Sequence, residues 1–161
     1  MVTRKTIEWL ELIEESGVCK LKAYKCPAGK WTFGWGDTEG CFEGATITKE
    51  EADIRLFRKA EKITKYIQRI EPFLALRMNE NQWVALTSLI YNIGQGEDGF
   101  TGSTIRKELA KKEWSRAAIE NAWNMWNKIT VNGKKVVSTG LVKRRKKELA
   151  LFFEPWQESI S

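Results

Sequence analysis

LKAYKCPAGKWTFGWGDT, residues 21–38, differs from the sequence on either side of it. Tyr24, Trp31, Thr32, Phe33 and Trp35 are strand formers, and Pro27, Gly29, Gly34, Gly36 and Gly40 interrupt them at short intervals, out to Gly44. Short β-forming runs broken by turn residues predict a small antiparallel sheet with tight turns.

The flanking sequence has helical periodicity. Ile7, Leu10 and Ile13 are spaced for one helix face, with Glu8, Glu11, Glu14 and Glu15 between them. This predicts a short amphipathic helix over 5–15 that stops near Ser16 and Gly17. Thr48 and Glu51 have the spacing of a capping box, opening a helix to about Ile70. Beyond Pro72, Asn79 and Gln82 make a second such start for WVALTSLIYNIG, whose apolar density predicts burial on most sides. GQGEDGFTGS, residues 94–103, is a glycine-rich loop, and 103–111, 114–126 and 141–153 each have helical spacing. The final PWQESIS is expected to fray. The count predicts an α+β, mostly α fold. One domain over 1–161 is expected, with 1–70 holding the first helix, the small β-lobe and a linking helix, and 71–161 a helical lobe.

Composition removes several chemistries. The chain has no histidine, so Ser/His/Asp hydrolysis, Cys/His proteolysis and His-ligated zinc catalysis are excluded. Cys19, Cys26 and Cys41 are odd in number and lack CxxC spacing, which predicts reduced thiols and no metal site. No phosphate-cradling glycine loop occurs, so no cofactor is implied. No apolar run approaches the roughly 20 residues of a bilayer span, so no stable membrane insertion is expected. A net charge of +6 favours a polyanionic partner, and no nucleic-acid motif accompanies it. KRRKK, residues 143–147, reads as the wet face of the last helix, with Leu141, Leu149 and Phe152 inward.

A helix ending in carboxylates before a glycine-rich sheet suits glycoside cleavage, which needs a proton donor at the leaving oxygen and a group on the opposite sugar face. Glu15, or Glu14 beside it, is the candidate donor. Such a donor has to be partly buried so that its pKa rises. Trp31 and Trp35 are candidates for stacking on sugar rings, although eight tryptophans make core packing an equal expectation.

With those residues in view, LKAYKCPAGKWTFGWGDT resembles the LxAYxDxxGxxTxGyGHT signature of the phage lysozymes of glycoside hydrolase family 24. The resemblance continues through ITKEEAD, NENQWVALTSLIYNIG, FTGSTIRKEL and GLVKRRKKE, covering nearly all of 7–152. It implies a lysozyme-like fold, with a small N-terminal lobe and a larger helical lobe joined by a long helix. It also implies a site of Glu, Asp or Cys, and Thr, in which Cys26 takes the Asp position and Thr32 positions the attacking water.

The chain departs from the signature twice. The family's Glu lies seven residues before the Tyr, where this chain has Gly17, so Glu15 serves only if the turn ESGVCK is lengthened by about two residues, at most roughly 7 Å of chain. Asp37 replaces the signature's His and either supports the sheet or adds a carboxylate for substrate binding.

The resemblance implies a monomeric endolysin acting on peptidoglycan glycan strands, held in the host cytoplasm until a holin releases it to the cell wall or periplasm. Lytic transglycosylation, in which a single Glu suffices, is a second reading. A peptidoglycan-binding protein without activity is a third, motivated by Gly17.

Overall fold

The computed structural model describes residues 1–14 and 17–155. In chain order the elements are α1 (Arg4–Ile13), β1 (Lys20–Lys25), β2 (Trp31–Gly34), α2 (Lys49–Ile70), α3 (Pro72–Arg77), α4 (Glu80–Ile93), α5 (Thr104–Leu109), α6 (Arg116–Asn124), β3 (Lys128–Val131), β4 (Lys134–Val137) and α7 (Thr139–Phe152). Two compact units divide the chain: Met1–Lys62 with Lys128–Ser138, and Ile63–Asn127 with Thr139–Ser161.

In the first unit, Thr3 caps α1 by accepting a hydrogen bond from the Thr6 amide at 3.3 Å. The helix ends at Ile13, earlier than its periodicity predicts, and Glu14 is already extended (φ −76, ψ 150). Its last turn carries no basic residue to balance the carbonyl end of the helix, and Glu11 and Glu14 add negative charge there. Leu10 is fully buried. β1 and β2 form the expected antiparallel pair, with Tyr24 opposite Thr32 and Lys25 opposite Trp31. The segment CPAG turns between them: the Gly29 amide donates to Cys26 O at 2.8 Å, and Cys26 N to Lys30 O at 2.9 Å. Pro at the second turn position and Gly at the fourth are what such a turn favours.

The Thr48 hydroxyl accepts from Glu51 N at 3.1 Å, and α2 runs to Ile70 as expected. The Glu51 carboxylate turns forward to Arg55 (3.1 Å). Phe33, Trp35, Ile47, Ala52, Leu56 and Ala60 are buried in this unit. Its second hairpin, β3–β4, is an addition to the expected elements. Asn132 and Gly133 both have positive φ (50° and 76°), the conformation a two-residue hairpin turn needs to match strand twist.

In the second unit, Pro72 opens α3 at its first turn, where a missing N–H costs nothing. Asn79 and Gln82 form a complete, reciprocal capping box on α4, whose Val84 to Tyr91 segment is buried throughout. Ser103 and Ser115 cap α5 and α6, which are shorter than their periodicity suggests. α7 corrects the reading of KRRKK: Lys143, Lys146 and Lys147 are exposed, but Arg144 and Arg145 are buried. Fully buried Glu148 holds them, at 3.1 Å from each guanidinium. It also accepts from Ser88 Oγ (2.7 Å) and Trp123 Nε1 (2.9 Å). Arg145 donates in turn to Asn92 Oδ1 at 2.7 Å. A charge is tolerated in an interior when paired and hydrogen-bonded, and the Glu148 carboxylate meets that condition with partners from α4, α6 and α7.

Candidate active site

The end of α1 and the β2 turn meet within the first unit. Glu14 is half-buried and its Oε1 is shielded from solvent. Its carboxyl group occupies the space where a side chain on Gly36 would begin: a Cβ there would lie 3.1 Å from Glu14 Cδ and closer still to Oε2. Gly36 has φ +71, so both its conformation and its missing side chain make room for the acid. Glu15, the other candidate donor, lies outside the described residues, as do residues 156–161 of the C-terminal segment. Gly17, at the signature's Glu position, is exposed.

Thr32 is buried, and its hydroxyl donates to Lys30 O at 3.1 Å. Having given its proton to a carbonyl, the hydroxyl oxygen keeps only acceptor capacity. Cys26 is half-buried at the start of the turn and is a free thiol, as are Cys19 and Cys41. Burial first, then the Asp37 charge, raises the Cys41 pKa, which keeps it a thiol near neutral pH.

The three candidates for substrate contact fall in different places. Trp35 is 4% exposed and its indole donates to Asp53 Oδ1 at 2.8 Å, so the ring packs in the core and is left out of the substrate-contacting set. Trp31 is half-buried, with Lys25 Nζ 5.4 Å from its ring centroid. Strand register places Lys25 and Trp31 on one face and Tyr24 and Thr32 on the other, so Trp31 does not share the Thr32 face. Asp37 is committed within the fold. Its Oδ2 pairs with Arg55 Nη1 at 3.1 Å and its Oδ1 accepts from Glu39 N at 2.9 Å.

Two residues of α2 that motif reading does not reveal hold this turn. Asp53 receives Trp35 and also Lys49 Nζ at 2.7 Å. Desolvation pushes its pKa up, but the hydrogen bonds from Lys49 and Trp35, with the Lys49 charge, outweigh it and hold the carboxyl below its ordinary range. Arg55 is kept charged above its ordinary pKa, chiefly by its hydrogen bond to Asp37. Lys49/Asp53 and Glu51/Arg55 are legible as i,i+4 pairs, whereas the links to Trp35 and Asp37 span 18 residues. Among the described residues, no group of three or more Cys, Asp or Glu side chains is placed to hold a metal ion.

A shielded carboxyl seated on the turn that follows a buried Thr with its hydroxyl engaged supplies an acid and a fixed acceptor within one unit. The chain belongs to the phage lysozyme family, the endolysin class of peptidoglycan hydrolases; residues 14–148 match that family. It is 38% identical over 143 residues to an endolysin of Acyrthosiphon pisum secondary endosymbiont phage 1, covering 89% of this chain and 93% of that one. The fold is similar to that of the endolysin from Escherichia coli O157:H7 phage FAHEc1, with TM-score 0.75 and 30% identity over 96% of this chain and 94% of the other. It is also similar to the muramidase domain of SpmX from Asticaccaulis excentricus, with TM-score 0.73 and 27% identity over 96% and 99%. Among the described residues, no helix is long and apolar enough to cross a membrane.

Proposed function

We propose that the chain is a muramidase that hydrolyses the β-1,4 bond between N-acetylmuramic acid and N-acetylglucosamine, with Glu14 as the proton donor. The observation that carries this reading is the Glu14 carboxyl seated on Gly36, at the first residue of the family match. Glu14 protonates the departing glycosidic oxygen as the sugar develops oxocarbenium character. Thr32, an acceptor once its proton is engaged by Lys30 O, takes a hydrogen bond from the attacking water and so aims the water's lone pair; the proton that the water sheds on bonding to the sugar carbon passes to solvent, which returns a proton to Glu14. Cys26 takes the place the family gives to Asp and assists through its position at the turn. No histidine is present to activate it as a nucleophile.

The replacement of that Asp by a thiol favours lytic transglycosylation as a second reading, because the muramic acid 6-hydroxyl attacks without a second carboxylate. Mass spectrometry of products from purified sacculi separates the two. Hydrolysis adds one water per cleavage and leaves reducing ends; transglycosylation leaves 1,6-anhydro ends. Products with reducing ends are expected. Intact sacculi with retained protein would mean wall binding without catalysis.

The same reading makes the chain a monomer that binds no nucleic acid and waits in the host cytoplasm for release. Relatives named endolysin and relatives named SAR-endolysin both occur, so release is tested directly. Expression with a holin is expected to lyse the host, and expression without one is not.

A further inference from the structure

We infer that Arg55 is a positioning residue for the Glu14 site, fixing the turn on which that carboxyl rests; this builds on the proposed role of Glu14. The turn closes on itself through Phe33 N to Asp37 O (3.0 Å) and Asp37 N to Phe33 O (2.9 Å), enclosing Gly34, Trp35 and Gly36. It follows Thr32 directly and presents Gly36 to Glu14. Two adjacent points on α2 hold it. Asp53 holds the Trp35 indole, as described above. Arg55 does more: Nη1 donates to Asp37 Oδ2 (3.1 Å) and to Glu39 O (2.9 Å), and Nη2 to Glu51 Oε1 (3.1 Å). Its Cζ also lies 5.4 Å from the Phe33 ring centroid.

One planar guanidinium thus links both ends of the turn to the first turns of α2. Only Arg has the donors to do this: Lys has a single nitrogen to divide among acceptors that a fork reaches simultaneously. The Asp37–Arg55 pair lies mostly out of solvent, with side-chain exposures of 15% and 34%, so its geometry is not freely exchanged with water. Where the signature has a His, this chain has an acid whose partner lies 18 residues away, and the pair fixes the height of Gly36 beneath the carboxyl.

The test measures kcat, KM and Tm of Arg55→Met, Arg55→Lys and the double variant Asp37→Asn/Arg55→Met on soluble peptidoglycan glycan strands, with Glu14→Gln alongside. A misplacement on the order of 1 Å costs about 100-fold, so Arg55→Met is expected to lose roughly 30–100-fold in kcat with KM changed less than about twofold. Arg55→Lys is expected to fall between Arg55→Met and the wild type, and it reads the same effect if Arg55→Met does not fold. The double variant removes the unpaired acid and is expected to recover most of the Tm while kcat stays low. Recovery of kcat together with Tm, or an Arg55→Met kcat within about twofold of wild type, would show that Arg55 only stabilises the fold. A fully active Glu14→Gln would instead remove the reading on which this one rests, whatever the Arg55 variants do.

Discussion

Replacing Gly36 by Ala tests the seat of the acid without touching any polar group. At φ +71 an L-residue is strained by about 1–2 kcal/mol. For a domain of this size that lowers Tm by roughly 2–8 °C. The added methyl would also lie 3.1 Å from Glu14 Cδ, where carbon atoms normally approach to about 3.5–4.0 Å. The carboxyl must therefore withdraw by about half an ångström to an ångström, and displacement on that scale costs on the order of 100-fold in rate. Gly40→Ala is the control, since Gly40 has φ +66 with nothing within 4 Å of its added Cβ, and it bears the backbone strain alone. Tm by calorimetry and clearing of outer-membrane-permeabilised cells are measured on both. The two variants should lose similar stability, and only Gly36→Ala should lose activity. If Gly36→Ala clears cells within about threefold of Gly40→Ala, the Glu14 carboxyl at that turn takes no part in catalysis.

Further expectations concern stability and reactivity. Glu148→Ala leaves Arg144 and Arg145 buried without their carboxylate, at a cost of about 3–5 kcal/mol, and should lower Tm by roughly 6–20 °C. Asp53 has a folded pKa below its unfolded value of 3.8, so its contribution to stability is present above that pH and lost as pH falls through the folded value. The Tm gap between wild type and Asp53→Asn should therefore be steady above about pH 5 and shrink as pH drops below 3.8. Cys41, with its thiol pKa raised, should alkylate with iodoacetamide at pH 8 more slowly in the folded protein than in urea, read by mass spectrometry.

Much of the fold is written in local pattern. The α2 and α4 starts follow from Thr48/Glu51 and Asn79/Gln82, and the first hairpin from aromatic runs cut by Pro27 and glycines. The β3–β4 hairpin has an equally local signal, the Asn132–Gly133 pair between Ile129–Val131 and Val136–Val137, but it lies between the helical spacings at 114–126 and 141–153, which do not reveal it. Burial of Arg144 and Arg145 is not legible, because it depends on Ser88, Asn92 and Trp123, which only the folded chain brings to α7. In the site, Cys26 and Thr32 follow from the motif and its interval. The seating of Glu14 on Gly36 and the Asp37–Arg55 pair join residues 22 and 18 positions apart, so no pattern within a single element carries them.

Turnover of peptidoglycan by Glu14→Gln and Glu15→Gln, compared side by side at unchanged Tm, tests the proton donor most directly. Loss of the acid removes about 100-fold or more, so Glu14→Gln should be that much slower than wild type while Glu15→Gln stays within a few-fold. Wild-type turnover by Glu14→Gln would contradict the assignment.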